Sequence, residues 1–303
     1  MQKLQSHKAS RRGSSANHAF TFTELLVVIV VLAVLLLILL PARADSRTKS
    51  QCVRCVDNLR QIMNAMMLYT RDNHDLFPPN PDDINMVTGH DWCPGAAGVA
   101  QAAEFNPDLI ASRCLLMPYV NTNVSLFRCT ADLRMGIYQG TDPAKAGKRV
   151  PAARSISMNG AVGNICPGFN SGSGHFGKPT LPVNGPWLDN SHSHRRNSPY
   201  RTYGKLADVV APSPARLSVI YEEDPFSLND GTFSFGMNIA EWIDFPSTLH
   251  GMSGVIGFAD SHVELHKWVN KSTVVPTPIT RVAVPGSVDW AWVKERTSAL
   301  ATQ

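Results

Sequence analysis

The longest apolar run in the chain is Leu25–Leu40, with a lone acidic residue, Glu24, at its head. Ahead of it lies a Ser-rich leader with Lys3, Lys8, Arg11 and Arg12 and no acid, and from Pro41 the chain turns polar. Basic leader, apolar run and polar chain in that order are the layout of an export signal. The run falls between a signal-peptide core and the roughly 20 residues that span a bilayer, and counting Phe20 to Thr23 brings it to span length. Ala42-Arg43-Ala44 has the small-x-small form of a signal peptidase site, which would start the mature chain at Asp45. Glu24 argues for retention instead. A carboxylate costs about 2.5 to 3.5 kcal/mol near mid-bilayer and less at its edge, so it asks for a partner.

Beyond Pro41 the apolar positions change period. Cys52, Cys55 or Val56, Leu59, Ile62 with Met63, Met66 and Tyr69 recur at helical spacing, and Asp57, Arg60, Gln61, Asn64 and Arg71 lie mostly off the stripe. This predicts an amphipathic continuation of the helix over 41–76. Phe77-Pro78-Pro79-Asn80-Pro81 ends it, since proline lacks the amide donor and restricts the residue before it. At roughly 1.5 Å per residue, a helix from Phe20 to Tyr69 would reach about 75 Å.

Residues 81–200 are rich in Gly, Pro, Asn and Ser, and the tract 164–197 reads as a long surface loop or insertion. His175, His192, His194, Arg195 and Arg196 cluster there as solvated polar residues. Strand signals return from about 215 to 268, with Asn229-Asp230-Gly231 as a turn and a hairpin over about 254–268. With Asp260-Ser261 as a two-residue turn, Phe258 opposes Val263 and Ile256 opposes Leu265 on one apolar face, and Trp268 closes the end of the core. The fold class is therefore α+β: a long N-terminal helix packed on an antiparallel sheet with long loops, the globular domain spanning 77–303.

The segment Phe20-Thr21-Phe22-Thr23-Glu24-Leu25-Leu26-Val27-Val28-Ile29 resembles the N-terminal methylation motif of type IV pilins and type II secretion pseudopilins. The resemblance implies a pilin-like fold and a leader, 1–19, removed by a prepilin peptidase between Ala19 and Phe20, with methylation of the new Phe20 amine. It implies a single-pass inner-membrane helix, 20–40 in membrane lipid, with the C-terminal domain periplasmic or extracellular. It further implies assembly with other pilin-like subunits, Glu24 pairing with a neighbour's Phe20 amine, and a kink at Pro41. Ala19 stands where the family usually has Gly, and Thr23 where it often has an aliphatic residue. Physical cost points the same way: a neighbour's ammonium would neutralise the Glu24 carboxylate in low dielectric and fix the axial register between subunits. His250, nine residues and Asp260 resemble a second pattern, that of pilin-like proteins whose C-terminal domain, of unknown function, carries a His, nine residues and Asp-Gly. Ser261 replaces the Gly, at a position where a type I′ turn needs positive φ. Cys52–Gln61 and Leu126–Asp132 are further landmarks of that resemblance.

Charge adds little. The chain has 28 Lys and Arg against 24 Asp and Glu, and the leader's four basic residues account for the excess. No basic stripe with interleaved aromatics is present, which argues against nucleic acid as a partner. The six cysteines, at 52, 55, 93, 114, 129 and 166, suit an exported domain, with burial or a bridge from the helix carrying Cys52 and Cys55 to Cys129 or Cys114. Cys52 and Cys55 lie too close on one helix to pair readily, and a second Cys-x-x-Cys for a zinc site is missing. His262, Glu264 and His266 are expected on the outward face of the hairpin, His250 packed ahead of its first strand, and Glu222-Glu223-Asp224 at a solvated strand end. No catalytic motif, resident metal or cofactor is expected. The expectation is a structural subunit and not an enzyme. Its rival is a secreted or tethered protein that binds a ligand through the Gly/Asn-rich loop.

Overall fold

The computed structural model describes residues 21–82, 88–164, 170–171, 175–176, 185–192, 196–277 and 281–302, with backbone only at 36–48, 170–171 and 175–176. Most of the expected loop over 164–197, Cys166, His194 and Arg195 among it, lies outside the described residues. The architecture is α+β, and the chain divides after Arg47 into two compact units. Helix α1 (Phe22–Asp72) contributes to both. Among the described residues no helix is long and apolar enough to cross a membrane; side-chain description of the apolar run stops at Leu35.

In the larger unit the predicted stripe is the buried face of α1: Cys55, Leu59, Ile62, Met63 and Met66 are all in the core. The helix ends at Asp72, a few residues before the prolines. There the Asn73 side-chain amide donates to the Tyr69 carbonyl at 2.8 Å, and His74 and Asp75 take left-handed φ values of 57° and 67°.

The stripe packs on a five-stranded sheet of β1 (Ile156–Asn159), β2 (Ser218–Glu222), β3 (Thr232–Phe233), β4 (Ser253–Phe258) and β5 (Val263–Lys267), in the order β5-β4-β2-β1-β3. All pairs are antiparallel except β1 with β3. Strand β1 comes from the Gly-, Pro-, Asn- and Ser-rich region 81–200, where no strand was expected, and Asn229–Gly231 leads into an edge strand parallel to it, not an antiparallel neighbour. Helix α3 (Val288–Thr297) covers the opposite face, its Thr297 carbonyl accepting from Asn159 Nδ2 at 2.9 Å. A short helix, α2 (Pro107–Arg113), lies in the mid-chain region.

The hairpin register differs from the expected one by a residue. Val263 opposes Gly257 and Leu265 opposes Val255. Phe258 instead pairs with His262, whose carbonyl accepts from the Phe258 amide at 3.0 Å, so Ala259 to Ser261 form the connection. Burial failed to specify the register because β4 is buried on both faces, and a strand covered twice carries no useful alternation. Gly257 faces α1, where a Cβ would lie 2.6 Å from Met63 Cγ and Sδ. Ile256 and Phe258 face α3, as do His262, Glu264 and His266. These last three were expected to point outward: His262 is exposed, stacked on Phe258 at 4.2 Å, while Glu264 and His266 are half-buried, His266 stacking on Trp292 at 3.7 Å. A bulge at Val219 sets Ser218 and Tyr221 on one face, their hydroxyls 2.5 Å apart.

Mid-chain loops are held by buried side chains in place of ladders. Asn80, from the proline-rich segment, donates to the carbonyls of Met158, Asn159 and Val162. Arg154, fully buried, donates to the carbonyls of Gly95, Asp230 and Ile156. Each ties a loop to backbone carbonyls of distant segments, strand β1 among them.

Replacing Gly257 with Ala should destabilise the fold by about 1 to 3 kcal/mol through overpacking against Met63. Urea unfolding of the detergent-solubilised chain, followed by tryptophan fluorescence, reads the shift in midpoint.

Candidate functional site

The smaller unit holds the first candidate. Thr21 precedes α1, and its hydroxyl accepts from the Glu24 amide at 3.3 Å, while the Thr21 amide and hydroxyl donate to Glu24 Oε2 at 2.8 and 2.7 Å. This is a reciprocal capping box, and the Thr-x-x-Glu spacing that signals it was overlooked in the sequence. Past the cap, Leu25, Leu26, Val27, Val28, Ile29 and Val30 are all exposed. Six consecutive residues cover the whole circumference of a helix, so no face of the segment is polar. Ala19 and Phe20 lie outside the described residues; Pro41 falls within α1 where only backbone is described.

The second lies inside the larger unit, where four chain segments bring Cys55, Cys129, Glu222 and His250 together with their ligand atoms all within 4.8 Å of one another. Cys55 comes from the buried stripe of α1. Cys129 follows a short 3-10 helix, Val124–Phe127, and is fixed by Asp132, whose carboxylate accepts from the Arg134 guanidinium at 2.7 Å and the Ser155 hydroxyl at 2.7 Å. Glu222 ends β2 on the face toward α1, its Oε2 accepting from the Val255 amide at 3.1 Å. His250 precedes β4. Cys55 Sγ is 3.5 Å from Cys129 Sγ, Cys129 Sγ is 3.3 Å from His250 Nε2, and His250 Nε2 is 3.2 Å from Glu222 Oε1. The amides of Thr130 and Ala131 point at the two sulfurs, at 3.1 Å from Cys55 and 3.3 Å from Cys129. A cavity of about 10 Å³ lined by Cys55, Cys129, Glu222 and Val255 adjoins them, room for one water-sized atom.

All four residues are buried, which overturns the solvated end expected for Glu222-Glu223-Asp224. That run follows Ser-Val-Ile-Tyr in a strand covered on both faces, so its carboxylates enter the core with it. Burial pushes Glu222 above its ordinary value, and Glu223, held by the Ser227 hydroxyl at 2.9 Å, up to about 8. The Cys129 thiol lowers Cys55, and that same contact, with burial, raises Cys129 well above the usual thiol range. Burial opposes the charge on His250, but Cys55 and Glu222 outweigh it and raise the imidazole. His250 Nδ1 has no hydrogen-bond partner among the described residues. Two sulfurs, an imidazole nitrogen and a carboxylate oxygen converging without solvent can hold a soft or borderline metal ion.

Comparison with known proteins speaks to the first site. Residues 14–40 match the prokaryotic N-terminal methylation motif. This is the N-terminal motif of type IV pilin-like precursors. The motif is of the kind that prepilin peptidase processes and that precedes assembly with other pilin subunits. No curated protein and no solved structure matches the chain. The His250–Asp260 pattern lies outside the matched residues.

In the larger unit the two halves of that pattern have separate surroundings. His250 belongs to the buried cluster, whereas Asp260 lies at the hairpin tip, where Oδ1 accepts from the His262 amide at 3.1 Å. Ser261 has φ 73°, the left-handed residue of a three-residue connection and not the second residue of a type I′ turn. Of the cysteines, Cys129 meets Cys55, while Cys114 hydrogen-bonds Cys93; the five described ones, Cys52 included, are unbridged. An open groove of about 980 Å³ runs beside α3, lined by Tyr200, Pro212, Trp290 and Leu300 among others.

Ser261→Gly should stabilise the larger unit by about 1 kcal/mol, since an L-residue in the left-handed region costs roughly 1 to 2 kcal/mol and glycine returns part of that in chain entropy. A higher urea midpoint with an unchanged slope is the expected readout.

Proposed function

We propose that the protein is a pilin-like structural subunit, held in the inner membrane by α1 and assembled with other pilin-like subunits, its larger unit on the periplasmic or extracellular side. The observation that carries this reading is a helix apolar on every face with one carboxylate at its head, inside the matched motif. An all-apolar helix in water has no folding rationale, but in lipid or among like helices its whole surface is buried. Glu24 caps its own helix in the precursor. After cleavage between Ala19 and Phe20 the new amine is a cation that the same carboxylate of an adjacent subunit can pair with, and methylation leaves that amine basic. Function lies in association and not in turnover: the protein is a scaffold, with no enzymatic role. The groove beside α3 supports a second reading, a tethered ligand-binding protein, because its volume falls in the range of small-molecule sites.

Mass spectrometry of the protein from its native envelope should find a chain starting at Phe20 with one added methyl group. A chain starting at Asp45 would mean an ordinary signal peptide and would sink the proposal. Glu24→Ala should abolish incorporation into the assembly with export intact, while Thr21→Ala, which breaks the capping box but keeps the carboxylate, should retain it; co-purification with tagged subunits reads both.

A further inference from the structure

We infer that Cys55, Cys129, Glu222 and His250 form a structural zinc site that fastens α1 to the sheet. The inference stands apart from the assembly reading, since it concerns how the larger unit holds its helix.

Geometry carries it. With zinc about 2.3 Å from sulfur and about 2.0 to 2.2 Å from nitrogen and oxygen, tetrahedral angles place S···S near ~3.8 Å, S···N near ~3.6 Å and N···O near ~3.4 Å. The corresponding separations here are 3.5, 3.3 and 3.2 Å, each a few tenths shorter. Four protein ligands drawn onto one ion would complete a tetrahedron and leave no position for substrate. The adjoining cavity of about 10 Å³ admits nothing larger than a water, and a closed site is structural and not catalytic.

Donor chemistry selects the metal. Two thiolates disfavour calcium and magnesium, which take oxygen ligands, and a compact four-coordinate set of sulfur, nitrogen and oxygen suits zinc. The Thr130 and Ala131 amides supply the donors that steady thiolates, and the Val255 amide orients Glu222 through its second oxygen, leaving Oε1 toward the imidazole. A Cys55–Cys129 disulfide would join the same elements, but it would leave the imidazole buried in the core with only the Glu222 carboxylate, itself held otherwise by the Val255 amide alone. A dication meets all four groups together.

The test uses the full-length chain, purified in detergent without chelators. Elemental analysis should find zinc in one-to-one ratio with protein, lost in Cys129→Ser and in Glu222→Gln. Because those variants can misfold, the unaltered chain is also stripped and refilled with cobalt alone, where thiolate-to-cobalt charge transfer and tetrahedral ligand-field bands should appear. Refilling with zinc should raise the unfolding temperature of the stripped chain. A native protein free of metal, with Cys55 and Cys129 recovered as a disulfide-linked peptide, would overturn the inference, as would zinc retained in Cys129→Ser or a cobalt spectrum without the thiolate band.

Discussion

Everything in the larger unit depends on the close approach of α1 to the sheet at Gly257. The missing side chain lets Met63 and Leu59 reach the strand, and from that contact the buried stripe extends through Ile62 and Met66 to one side and Cys55 to the other. Because α1 covers one face of the sheet and α3 the other, β4 has no solvent face at all. A five-stranded sheet enclosed on both sides is a larger core than a helix laid on an open sheet, and it draws strands from distant parts of the chain. Strand β1, beside β2, is the most distant of these, and its neighbours on the sheet all lie well over fifty residues later in the sequence.

Loops of this length must satisfy their backbone groups without ladders, and buried amides and guanidinium groups do so here. Asn80 and Asn164 tie the proline-rich segment to β1 and to the chain near Gly204, while Arg154 gathers carbonyls from three separate stretches. The Asp132–Arg134 pair, only 15% exposed at the arginine, sets the turn that presents Cys129 to α1. A buried donor left without an acceptor costs roughly 1 to 3 kcal/mol, so each of these contacts weighs against other arrangements of the loops.

Both candidate sites follow one physical rule. A carboxylate in a low-dielectric setting is costly alone and informative when paired, so it fixes the register of whatever brings its partner. Glu24 stands at the head of an apolar helix, held by the Thr21 cap, and Glu222 ends a buried strand beside sulfur and imidazole.

The helical stripe from Cys55 to Met66, the position of the stop near the prolines, the apolar run with its acid and the hairpin near Asp260 were legible in the sequence, because each rests on local periodicity or on local turn chemistry. The capping box at Thr21 was legible too and went unread. Strand β1, the hairpin register, the burial of Glu222-Glu223-Asp224 and the meeting of Cys55, Cys129, Glu222 and His250 were not. Alternation reports burial on one face, so it falls silent for strands covered on both, and a cluster drawn from four distant segments leaves no spacing in any one of them. The sequence by itself determined which segments are apolar and where they start and stop; only the tertiary structure decided which side chains those segments bring together, because that depends on packing between parts of the chain that carry no record of each other.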